Sequence, residues 1–80
     1  MKTKKWNYLL RKYEDTEIPD KSAFYRDEMN EVVQCAECGH YMTFGSGYTS
    51  RVIHTEGGMG YCVCSECYLK ECEEERMYEA

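Results

Sequence analysis

Two cysteine pairs carry the clearest chemistry in this sequence. One lies in Val33-Gln34-Cys35-Ala36-Glu37-Cys38-Gly39-His40. The other lies in Gly60-Tyr61-Cys62-Val63-Cys64-Ser65-Glu66-Cys67-Tyr68, with 25 residues between Cys38 and Cys64. A Cys-x-x-Cys-Gly turn puts two thiolates on one metal and aims backbone amides at the sulfurs. Gly39, next after Cys38, supplies the positive φ such a turn needs. Zinc takes four ligands in a tetrahedron, with Zn–S near ~2.3 Å. Cys35, Cys38, Cys64 and Cys67 supply that number. One pair alone reads as well as a redox motif. Two pairs in a chain of 80 residues predict one structural Zn2+.

A site of four thiolates is closed, whereas catalytic zinc keeps a position open and favours His or carboxylate ligands. The sequence has neither a Ser/His/Asp ordering nor the His-x-Glu of zinc deaminases. The chain is also short for a deep substrate pocket. The expectation is a protein without catalytic residues.

The remaining candidates have plainer readings. Cys62 shares a strand face with Cys64 and competes with it as a ligand on that ground. Cys72 stands five positions beyond Cys67, about 500° around a helix, so those two do not share a face. Both read first as small buried hydrophobes, with a redox or second-metal role as the alternative. His40 reads as a surface histidine; its other roles are a replacement ligand or a donor to a thiolate. His54 has only Glu56 close by in sequence. Gly45-Ser46-Gly47 and Gly57-Gly58 lack the Gly-Lys-Ser/Thr ending of a phosphate loop and read as turns.

The elements that must position the cysteines follow from pattern. Tyr48 to Thr55 is β-branched and aromatic, Glu56-Gly57-Gly58 is turn chemistry, and Met59 to Val63 returns as a second strand. Ser65 onward reads as a helix, with Glu66 and Glu71 suited to its early part. Cys64 then falls at a strand end and Cys67 in the first helical turn. Glu31 to Gln34 reads as a short strand. Upstream, Trp6, Leu9, Leu10 and Tyr13 fall at i, i+3, i+4 and i+7, which predicts a helix from about Thr3 to Glu14 capped by Thr3. Pro19 stops it. Phe24, Tyr25 and Met29 suggest a second short helix, capped by Asp20 or Ser22. The organisation expected is a helical extension over 1–32 and a zinc-binding domain over 33–80.

Knuckle, hairpin, then a helix carrying the second ligand pair is the order of a treble-clef zinc finger. The stretch from Val33 to Arg76 resembles that family, and among its members the DksA/TraR type. It also resembles small cysteine-rich proteins of phages and mobile elements. The resemblance implies an α+β treble-clef-like fold and, for the DksA/TraR type, RNA polymerase as partner.

Composition bounds the rest. The chain carries ten Lys/Arg against fifteen Asp/Glu, a net charge of −5. Lys2, Lys4, Lys5, Arg11 and Lys12 stand in an acid-free first dozen residues, and everything after is strongly acidic. Four thiolates with one zinc take the folded chain to about −7. An acidic body disfavours broad phosphate binding, so a protein partner is expected, with an adaptor or regulator role, for which bacterial or phage transcription is one setting. A nucleic-acid-binding finger using the five cations, and a redox or metal-handling protein using Cys62 or Cys72, stand as alternatives. No apolar run approaches a membrane span, and the start has no apolar signal region. Clustered cysteines without a signal predict the reducing cytosol and metal rather than disulfides.

Overall fold

The computed structural model describes residues 1–79; Ala80, at the end of the expected zinc domain, lies outside them. Charge and β-propensity decide the first element. Lys2–Asn7 (β1) and Lys12–Glu17 (β2) are antiparallel strands. Their register sets Lys2 opposite Glu17, Lys4 opposite Asp15 and Lys5 opposite Glu14. The basic block thus faces an acidic block across the strands, where opposite charges stabilise a pair. Lys4 Nζ reaches Asp15 Oδ1 at 2.6 Å. Trp6 sits opposite Tyr13, their rings edge-to-face at 5.1 Å.

This replaces the expected helix from Thr3 to Glu14. The four-residue helical spacing was met by two strand residues and two turn residues. Trp6 and Tyr13 form the cross-strand pair, while Leu9 and Leu10 sit exposed in the turn. Asn7 builds that turn: its Oδ1 accepts from the amides of Leu9 (2.9 Å) and Leu10 (3.1 Å). Such local capping by Asn competes with helix formation. Arg11 closes the turn at φ 53°, a left-handed conformation uncommon for a residue with a Cβ.

Tyr48–His54 (β5) and Gly60–Val63 (β6) form the expected hairpin. The four-stranded sheet runs β2-β1-β5-β6. Thr3 Oγ1 donates to His54 O at 2.6 Å, tying β1 to β5. Val32–Gln34 (β3) pairs with Tyr41–Thr43 (β4) as a separate ribbon. Ser65–Glu79 is the helix α1.

The second expected helix is also absent. Lys21 to Ala23 bridges the two sheets instead: Gln34 N donates to Lys21 O (3.0 Å) and Cys62 N to Ala23 O (2.7 Å). Ser22 and Ala23 are buried by this placement. Phe24 then lies edge-on to Tyr61. Bonding to β3 and β6 satisfies this backbone, and helix formation would forfeit it.

Burial is thin in aliphatics. Ile18, Val33, Val52, Ile53 and Val63 are the buried branched residues; all but Val33 lie in the main core cluster, which Cys35, Cys64 and Cys67 complete with Ala36 and Tyr61. The helix docks through a polar stripe. Cys67, Glu71 and Glu75 recur at four-residue spacing, so they share one face. Glu71 is buried; it accepts from Ser50 Oγ and from Arg51 N, both at 2.7 Å. Ser50 Oγ in turn accepts from the amides of Val52 and Ile53. Glu75 binds the Arg51 guanidinium at two points, and Tyr68 stacks on Tyr48 at 4.9 Å.

Burial pushes the Glu71 carboxyl up against the pull of its two donors. A raised folded value means folding favours the protonated acid. The stability it contributes is therefore present below the ordinary carboxyl range and lost as pH rises through the raised value. Glu71→Ala leaves the Ser50 hydroxyl and the Arg51 amide without acceptors. The expected loss is about 2–3 kcal/mol in denaturant unfolding, with a smaller loss for Glu71→Gln, whose amide oxygen keeps one bond.

Candidate metal centre

Each thiol reaches the centre by a different local device. Cys35 follows β3, and Cys38 lies in the turn to β4. Gly39 N donates to Cys35 O and Cys35 N to His40 O, both at 2.9 Å, which closes the knuckle. Gly39 takes φ 82° there, as its place after the second cysteine predicts. Cys64 comes directly after β6, and its carbonyl accepts from Tyr68 N at 2.9 Å. Cys67 lies in the first turn of α1, where the positive end of the helix dipole favours thiolate.

These devices converge. The Sγ atoms of Cys35, Cys38, Cys64 and Cys67 all lie within 4.8 Å of one another, an arrangement that could hold a metal ion. A tetrahedron with Zn–S near 2.3 Å has S···S edges of about 3.8 Å, and Cys38 Sγ lies 3.8 Å from Cys64 Sγ. That edge matches a zinc tetrahedron, and four thiol donors suit zinc in chemistry. Cys35, Cys64 and Cys67 are buried and Cys38 is exposed. No cysteine is bridged.

The electrostatics of the bare thiols are mutually opposed. Burial pushes the Cys35 thiol up, but the amides of Cys38 (3.5 Å), Cys64 (3.3 Å) and Glu37 outweigh it and bring it down to about 7. Burial and the neighbouring sulfurs of Cys64 and Cys35 push Cys67 up. At Cys38 the His40 amide pulls down, while burial and the sulfurs of Cys35 and Cys64 push up and prevail. Cys35 is ready to ionise, while Cys38 and Cys67 resist joining it. A divalent cation removes that conflict, because coordination deprotonates thiols outright.

His40 is exposed, and its Nδ1 lies 3.1 Å from Cys38 Sγ. With its proton on Nδ1 the ring donates to that sulfur, as partners of metal ligands do. Cys62 is separated from the four. It is buried with Ala23 and Val33 in a second small cluster, its Sγ directed at Phe44 O. The chain leaves β6 after Val63, so Cys64 does not continue the strand alternation that would put it beside Cys62. Cys72 is half-buried outside the group. His54 meets Tyr13, with Nδ1 3.0 Å from the phenol oxygen, a contact that sequence spacing gave no sign of.

The five arm cations prove to be strand and turn residues. Lys4 is paired with Asp15, and Lys5 with Glu37 at 3.0 Å. No helix among the described residues is long and apolar enough to cross a membrane.

Antiparallel sheets, one C-terminal helix and a cluster of four cysteines define a small α+β protein with a candidate metal centre. Compared with protein-family models, curated proteins and solved structures, the chain matches none.

Proposed function

We propose that this protein is a non-catalytic structural-zinc module that serves as a protein-interaction adaptor. The convergence of four sulfurs from the β3–β4 knuckle and the β6–α1 junction carries the reading. Cys35, Cys38, Cys64 and Cys67 hold one Zn2+, and the closed thiolate shell leaves the ion no position for substrate. Substitution with Co2+ tests the ligand set. Thiolate-to-cobalt charge-transfer bands and tetrahedral ligand-field bands, saturating at one ion per chain, are expected. An octahedral spectrum without charge transfer contradicts four sulfur ligands.

A protein partner is favoured over nucleic acid because Lys4 and Lys5 spend their charge within the molecule and the body is acidic. The treble-clef reading and the likeness to the DksA/TraR type make RNA polymerase the first partner to test. Binding to phosphate backbones should be absent at physiological salt. Tight binding with a steep salt slope, lost when Lys2, Lys4, Lys5, Arg11 and Lys12 are neutralised together, would reverse this choice.

A further inference from the structure

The β1–β2 hairpin and the end of α1 enclose a surface cavity of about 340 Å3. Trp6, Tyr8 and Tyr78 line it, together with the carboxylates of Glu14, Asp15 and Glu74. The rings of Tyr8 and Tyr78 are parallel within 7°, with centroids 6.0 Å apart. Lys5 also lines the wall, but its ammonium is held by Glu37. Asp15 binds Lys4, and Glu14 accepts from Asn7 Nδ2 at 2.7 Å. The Glu74 carboxylate has no ion pair or side-chain hydrogen bond among the described residues.

Aromatic faces attract cations through the ring quadrupole, the indole most strongly, and nearby carboxylates add to the field. An anion would meet three carboxylates here. A neutral apolar ligand would leave them unused. A primary ammonium is compact and strongly hydrated, so it surrenders its water at a higher cost than a methylated one. We propose that this cavity binds a methylated ammonium group, carried by a methylated lysine side chain or by a free quaternary amine. No cysteine lines the cavity, so the proposal stands apart from the zinc reading.

Trp6 is the one tryptophan in the chain, so its fluorescence reports on this wall; it also borders a neighbouring cavity with Tyr13, Arg51 and Glu75, and variants at Glu74 and Tyr78, which line only the first, tell the two apart. The intact metal-loaded protein is titrated with choline, with Nε-trimethyl-lysine free and within a short peptide, with unmodified lysine, and with 3,3-dimethylbutanol, the neutral isostere of choline. Saturable changes are expected for the methylated cations. The neutral isostere and plain lysine should bind roughly ten-fold or more weakly. Glu74→Gln and Tyr78→Ala, both at exposed positions, should weaken choline binding several-fold and leave the melting temperature unchanged. Tighter binding of the peptide assigns the group to a protein side chain; equal or tighter binding of choline assigns it to a free amine. The proposal is overturned by no saturable response, by equal binding of the neutral isostere or of lysine, or by binding that both variants leave intact.

Discussion

Removing the metal with a strong chelator under reducing conditions is expected to abolish the cooperative thermal transition and most of the helix and sheet circular dichroism. Three physical observations set the size of this effect. Five branched aliphatic residues are buried, and a chain near this length rarely draws more than ~3–5 kcal/mol from a single hydrophobic core. The helix docks by Cys67, Glu71 and Glu75 rather than by an aliphatic stripe, and buried Glu71 resists ionisation. Cys35, Cys64 and Cys67 themselves form part of the core, and without a cation Cys38 and Cys67 are pushed away from ionising beside Cys35. Structural zinc contributes roughly 10–16 kcal/mol of apparent binding free energy, comparable to or above the whole stability of an ordinary domain. The β1–β2 hairpin has its own ion pairs but cannot stand alone, since isolated two-stranded hairpins are marginal in water. An unchanged melt after verified zinc loss would mean that the sheet folds on its apolar contacts.

Among single substitutions, Cys35→Ser is expected to act most strongly. Cys35 is fully buried, and its sulfur accepts from the amides of Cys38 and Cys64. It therefore joins the knuckle to the β6–α1 junction even before metal is considered. A serine oxygen is shorter, harder and a far weaker zinc ligand. Zinc affinity should fall by more than the 10–100-fold typical of losing an outer-shell partner, and the chain should unfold at ordinary temperature. Cys62→Ala provides the contrast. It opens a small void beside Ala23 and Val33, costs about 1 kcal/mol, and leaves zinc affinity unchanged. Competition with a chromophoric chelator measures both. Full zinc retention in Cys35→Ser with loss in Cys62→Ala would overturn the ligand assignment.

The centre was more legible in the sequence than the fold around it. Cys-x-x-Cys spacing is local and stereochemically narrow, so Cys35 with Cys38 and Cys64 with Cys67 could be paired without knowing the sheets. The β5–β6 hairpin and α1 were legible for the same reason: β-branched runs, a Gly-Gly turn and a long uninterrupted helical stretch are local signals. The N-terminus is ambiguous in sequence because four apolar residues at helical spacing fit a helix until their cross-strand partners are known. The informative pattern was longer in range. Lys2, Lys4 and Lys5 run against Glu17, Asp15 and Glu14 in reverse order, and Asn7 stands where a turn must begin. The stretch from Lys21 to Ala23 was illegible for a related reason. Its backbone bonds go to Gln34 and Cys62, which are distant in sequence, and no periodicity announces them. The separation of Cys62 from Cys64 likewise depends on the chain leaving its strand after Val63.

Native mass spectrometry of the intact protein, purified reduced and without added chelator, tests the central claim most directly. The expected species is one chain carrying one zinc, with Cys35, Cys38, Cys64 and Cys67 protected from alkylation until the metal is removed. A folded, zinc-free chain whose four thiols alkylate freely, or are joined as disulfides, would contradict it.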